Sequence, residues 1–230
     1  MLKIPHNRPT INDKDRLALI EPLKTNCLSC GNFVKKFEDD FAAYHGLSAD
    51  HAVAVSSGTS ALYLALWALG ASGKDVFFPT YTCSSLKHAV HLANAKPHLV
   101  DIKKNTPNVD ISLVPEDVIL IAPHMYGIPA DIPSLPKMKV IEDCSQALGG
   151  VVDNIPLGLR GDIGIYSFYA TKLITSGGQG GMLLSLDTNL ISEIRDYLDF
   201  DCRYDHKNRF NFHVPDVLAS MVISQLSRLP

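Results

Sequence analysis

Two hydrophobic periods divide the chain. Near the N-terminus the apolar positions follow a helical spacing. Phe33, Phe37, Phe41 and Tyr44 recur every three to four residues, with Lys35, Lys36, Glu38 and Asp39 between them, and Gly46 is placed to end the helix. Before it, Asp13–Ile20 reads as a short helix stopped near Pro22. From residue 51 the pattern changes to short apolar runs separated by helical stretches. The strand candidates are His51–Val55, Val76–Phe78, Pro97–Asp101, Val118–Ala122, Lys139–Ile141, Ile163–Phe168 and Gly181–Leu186. Thr59–Leu69 and Ser84–Ala93 are the helices between them, and Val214–Leu229 is a last helix. Buried strands alternating with helices predict an α/β fold: a three-layer αβα sandwich around a mostly parallel seven-stranded sheet. Gly149–Gly158 reads instead as a small hairpin turning at Asp153-Asn154.

Composition narrows the function classes. Hydrophobic residues make up 46 % of 230, enough to fill a substantial core. The formal charge of −3 gives no basic face for a nucleic acid, so no such partner is expected. No apolar run approaches the roughly 18 residues of a membrane span, and the first ten residues lack an export-type apolar stretch. A cytoplasmic protein with reduced thiols is expected. Its odd cysteine count (Cys27, Cys30, Cys83, Cys144, Cys202) agrees. Cys27 and Cys30 form a C-x-x-C pair, but no second pair follows at ligand spacing, so no metal site is expected.

The candidate chemistry sits after the strand runs. Ser56-Ser57-Gly58-Thr59-Ser60-Ala61 follows one strand and opens a helix, whose free N–H groups favour a phosphate. Taken alone, an ordinary N-cap explains it better. Glu142-Asp143-Cys144-Ser145-Gln146 places carboxylates where open α/β sheets bind ligands. Lys172 ends the run Ser167-Phe168-Tyr169-Ala170-Thr171 and leads into Ser176-Gly177-Gly178-Gln179-Gly180-Gly181. Pro79-Thr80-Tyr81-Thr82 offers an aromatic face. His124-Met125-Tyr126-Gly127 offers a histidine, read as structural or positioning. Together they set a phosphate cradle, an aromatic, a carboxylate and an amine at one sheet edge. Pyridoxal 5′-phosphate (PLP) needs all four. A nicotinamide-binding domain is a further possibility on fold grounds, ranked low because no G-x-G-x-x-G follows the first strand.

These motifs, in this order, resemble the DegT/DnrJ/EryC1/StrS aminotransferases, fold-type I PLP enzymes that aminate keto-sugars, usually nucleotide-linked. The resemblance runs from about Phe33 to the C-terminus. It implies that Lys172 bonds the cofactor aldehyde and moves the proton between substrate α-carbon and cofactor. Asp143 would pair with the pyridine nitrogen and Gln146 with the ring hydroxyl. Tyr81 would stack on the ring. Gly58, Thr59, Ser60 and Ser167 would hold the phosphate. Arg209-Phe210-Asn211-Phe212-His213 resembles the family segment whose asparagine reaches the phosphate of a neighbouring subunit, so Asn211 implies a homodimer with shared sites. The implied substrates are an amino-acid donor, glutamate, and a keto-sugar acceptor.

The sequence departs from the family pattern at Gln179, Cys144 and His213, which stand where Glu, Ala and a basic Arg or Lys are usual. The expected organisation is an N-terminal segment (1–32), a PLP-binding large domain (33–213) and a helix (214–230) leading toward a small C-terminal domain absent from the chain. Two alternatives stay open: a non-catalytic relic of the family, and a PLP sugar dehydratase. The dehydratases carry histidine at the position of Lys172, which speaks against the second.

Overall fold

The structure, a computed structural model, describes residues 4–5, 7–132 and 136–230. Its helices are α1 (Asp13–Thr25), α2 (Asn32–Tyr44), α3 (Gly58–Ala68), α4 (Ser85–Leu92), α5 (Thr188–Leu198) and α6 (Asp216–Leu226). Its strands are β1 (Ala52–Val55), β2 (Asp75–Pro79), β3 (Lys96–Val100), β4 (Ile119–Pro123), β5 (Lys139–Asp143), β6 (Val151–Val152), β7 (Ile155–Pro156), β8 (Ile163–Ser167) and β9 (Gly181–Leu184). Seven strands form one sheet in the order β1-β9-β8-β5-β4-β2-β3. β9 runs antiparallel to both of its neighbours, and the other pairings are parallel.

Strand alternation builds the layers. Val53, Val55, Ile163, Ile165 and Leu183 join one core with α3 and α5, while their chain neighbours Ala52, Ala54, Tyr166, Met182 and Leu184 join another with α2 and α6. A third cluster lies under β4 and β5 around Leu120, Ala122 and Val140. The expected αβα sandwich is therefore what forms.

The strand ends shift by one to two residues from the sequence reading. Two differences are larger. Helix α1 does not stop near Pro22 but continues through it to Thr25, where Asn26 in the left-handed region closes it. The proline costs one backbone hydrogen bond close to the C-terminal end, and its buried ring lies on a helix that packs against α6. Helix α5 was not expected, yet Ile191, Ile194, Tyr197 and Leu198 bury one of its faces. The small hairpin forms as read, with Asp153 and Asn154 at φ 50° and 63°, the handedness of a two-residue turn.

Helix α6 turns back over α1 and α2. Asp216 in its first turn accepts the N–H groups of Gly31 (2.8 Å) and Val34 (3.0 Å), so it caps α2, whose own N-cap glycine has no side chain. Asp15 in α1 accepts Arg228 at 2.7 Å and 3.0 Å and ties α1 to the end of α6.

Candidate active site

The carboxyl ends of β1, β2, β4, β5 and β8 point to one edge of the sheet, and a cavity of about 250 Å³ opens there. Gly58, Thr59, Asp143, Gln146, Ser167 and Lys172 all line it. Residues from three separate stretches of sequence thus meet at one site.

The phosphate-type cradle is the start of α3. Ser57 and Ser60 form a reciprocal cap: Ser60 N–H donates to Ser57 Oγ (3.0 Å), and Ser57 N–H to Ser60 Oγ (2.9 Å). That cap fixes the helix entry and leaves Gly58 and Thr59 as the first two helical residues, whose N–H groups have no intrahelical acceptor. Gly58 lies against Ser167: a β-carbon at position 58 would stand 2.9 Å from the Ser167 β-carbon. The absent side chain is what lets the helix start meet the end of β8. An anion placed here meets two backbone donors, the Thr59 and Ser167 hydroxyls, and the positive end of α3.

Asp143 is nearly buried. The Ser145 N–H binds one of its carboxylate oxygens at 2.9 Å and orients the group. Gln146 accepts the Tyr126 N–H at 2.9 Å through Oε1, which leaves its NH2 group as the donor. Lys172 is half-buried in a turn closed by its own N–H to Tyr169 O at 2.9 Å. The segment after it is clamped where Thr175 and Ser176 both donate to Phe168 O at 3.2 Å. The amine therefore sits on a fixed loop at the cavity wall.

Three other expected residues do not line this cavity. The Ser60 hydroxyl is used in the cap. Tyr81 stands at the outer rim, half exposed, with its hydroxyl 2.6 Å from that of Tyr126. Tyr126 is in turn held in the left-handed region at φ 57°. Asn211 is exposed on the segment before α6, where its side chain accepts the His213 N–H at 3.2 Å. That segment is anchored by Ser56 N–H to Phe212 O at 2.7 Å and by Arg209 pairing with Asp196 and Asp205.

The sequence reading missed Cys83, Ser145, Tyr169 and Gln179 as wall residues. Cys83, Ser145 and Tyr169 each lie within two residues of an assigned one, so proximity was the available signal; Gln179, seven residues past Lys172, was marked only by its glycine-rich turn. Cys144 is different: burial pushes its thiol well above the usual range, which makes it packing rather than a nucleophile. The C-x-x-C thiols are free, with Cys30 Sγ 3.3 Å from His213 Nδ1. Among the described residues no three His, Cys, Asp or Glu side chains gather on one point.

The donor set fits PLP: an anion cradle closed to any side chain at 58, an oriented buried carboxylate, an amide donor and an amine share one small cavity. Comparison with known proteins points the same way. The family model described as the DegT/DnrJ/EryC1/StrS aminotransferase family matches residues 9–230. The chain is 30 % identical over 246 residues to GDP-perosamine synthase of Escherichia coli O157:H7, covering 99 % of this chain and 67 % of that protein. It is 34 % identical over 177 residues to UDP-N-acetyl-3-dehydro-α-D-glucosamine 3-aminotransferase of Acidithiobacillus ferrooxidans, covering 72 % of this chain and 47 % of that one. Among solved structures, the aminotransferase TlmJ from Streptoalloteichus hindustanus superposes with a TM-score of 0.91 at 27 % identity, covering 99 % of this chain and 67 % of that one. The chain thus spans between about half and two thirds of the length of these relatives.

Proposed function

Because the chain belongs to the DegT/DnrJ/EryC1/StrS aminotransferase family, whose members use PLP, we propose that it forms the cofactor-holding part of an enzyme that moves an amino group from an amino acid, glutamate, to a nucleotide-linked keto-sugar. The observation that carries this reading is the convergence of Lys172, Asp143 and the Gly58-Thr59 helix start on one cavity.

The geometry supports the following roles. Gly58, Thr59 and Ser167 hold the phosphate. Asp143, as an anion oriented by Ser145, holds a proton on the pyridine nitrogen. Gln146 directs its NH2 to the ring hydroxyl. Bound PLP supplies an aldehyde that takes up the amine and a protonated ring that draws electrons from the breaking C–H bond. Lys172 Nζ, released as a free amine when the donor's amino group takes its place on the cofactor aldehyde, would accept the proton from the donor's α-carbon. Asn211 does not line this chain's cavity, and we assign it to the phosphate of a second copy in a homodimer. Its flanking residues Phe210 and Phe212 pack around Tyr63, which supports a pre-set reach.

The test is an absorbance spectrum of the purified protein with PLP, before and after glutamate. A yellow protein whose visible band is lost on adding glutamate supports both cofactor and half-reaction. A protein that stays colourless in excess PLP rejects the reading.

A further inference from the structure

One polar pair at the cavity is left unused by the reading above: His124 contributes to the wall and Glu142 lies behind it. Glu142 and His124 are both fully buried, and Glu142 Oε2 is 2.9 Å from His124 Nε2. The hydrogen-bond directions fix the proton. The Ala130 N–H donates to His124 Nδ1 at 2.9 Å, so Nδ1 carries a lone pair and Nε2 carries the hydrogen. The imidazole is therefore neutral and donates to Glu142. The other glutamate oxygen accepts the N–H groups of Arg160 (2.6 Å) and Gly161 (2.7 Å). Burial pushes the Glu142 carboxyl up, but the hydrogen bonds from His124 and Gly161 outweigh it and hold it below its ordinary value. The pair as a whole carries one negative charge.

Its position gives that charge a use. Glu142 and Asp143 are consecutive on β5, so their side chains leave opposite faces of the strand. Asp143 lines the cavity and Glu142 does not. His124 joins the two acids: its backbone N–H donates to Asp143 O at 3.1 Å while its ring donates to Glu142. With three donors on the glutamate and both ring nitrogens engaged, neither residue has a free site for acid–base work.

We infer that Glu142 and His124 are positioning residues for Asp143: the pair locks the end of β4 to the end of β5 and places a second buried negative charge behind the carboxylate that faces the ring nitrogen. The inference rests on the PLP reading of the cavity. A second anion there favours the protonated ring nitrogen beyond what Asp143 alone supplies.

The experiment compares dissociation constants for PLP and for an analogue with carbon in place of the ring nitrogen, in wild type and Glu142→Gln. Wild type should prefer PLP, and Glu142→Gln should cut that preference by about tenfold, the worth of one pKa unit. Glu142→Asp, which keeps the charge, should recover most of it. A purely structural role would weaken both ligands equally and leave their ratio alone. A ratio unchanged in Glu142→Gln overturns this inference by itself, whereas a wild type that does not discriminate overturns the Asp143 assignment and this inference with it. If the variants do not fold, nitrogen NMR of the wild type still decides the charge state. A neutral His124 with its hydrogen on Nε2 supports the pair as described, and an imidazolium at neutral pH overturns it.

Discussion

Gly58 at the start of α3 and Ser167 at the end of β8 touch so closely that a β-carbon at position 58 would lie 2.9 Å from the Ser167 β-carbon and 3.2 Å from its hydroxyl. One contact therefore joins the helix that offers the N–H groups to the strand that offers the hydroxyl. Gly58→Ala must push them apart. Overpacking of this kind costs about 1–3 kcal/mol, which for a chain of this size lowers the melting temperature by several degrees. The same variant should bind PLP and inorganic phosphate more weakly. Unchanged phosphate affinity in a folded Gly58→Ala protein would show that the cradle lies elsewhere.

Lys172 is the sharpest single assignment. Its side chain is half-buried and forms no ion pair among the described residues. Lys172→Ala should leave stability within about 0.5 kcal/mol of wild type, as for surface positions free of specific contacts. It should also abolish borohydride-fixed cofactor. Peptide mass analysis that still finds the reduced adduct at this position's tryptic segment, or finds it on another lysine in wild type, rejects the assignment.

Much of this arrangement was legible in the sequence, for identifiable reasons. The period-2 alternation of Ala52-Val53-Ala54-Val55 and Met182-Leu183-Leu184 maps directly onto the two cores. The cavity residues could be found because strand carboxyl ends share an edge in a parallel sheet. Side-chain direction was not legible. Ser60 read as a phosphate donor because a capping serine and a ligand-binding serine occupy the same sequence position. Tyr81 reads as a stacking face; in the structure its hydroxyl meets that of Tyr126, whose left-handed backbone no local pattern announces. Pro22 read as a stop because tertiary packing on α6 cannot be seen from α1 alone. Helix α5 carried its signal in Ile191, Ile194 and Leu198 and went unread.

The cap supplied across the fold by Asp216 predicts an asymmetry between two substitutions. Asp216 Oδ1 takes both the Gly31 and Val34 N–H groups, whereas Oδ2 is buried without a hydrogen-bond partner among the described residues. Asp216→Ala strands two donors, one buried and one partly buried, and should cost about 1–3 kcal/mol in denaturant unfolding. Asp216→Asn keeps the accepting oxygen and puts an NH2 in place of the unpaired one, so its cost should be the smaller of the two. Equal losses in the two variants would mean that the charge, not the acceptor, holds α2 to α6.

Asp15 sets how the α1–α6 contact responds to acid. Its carboxylate is buried and accepts both Arg228 nitrogens, at 2.7 Å and 3.0 Å, together with Ser224 Oγ at 2.7 Å. Burial pushes its pKa up, but Arg228, Asn12 and Ser224 outweigh that and bring it from the ordinary 3.8 down to about 2. The folded value lies below the unfolded one, so folding favours the ionised form. The stability this contributes is present in full above the ordinary value and is lost as pH falls through 3.8 toward about 2. Other carboxylates titrate in the same window, so wild type alone cannot isolate Asp15. The difference in unfolding free energy between wild type and Asp15→Asn can. That difference should be constant from neutral pH down to about pH 4 and shrink steadily from there toward pH 2. A difference that persists undiminished at pH 2 would show that the carboxylate is not the proton-linked tie between α1 and α6.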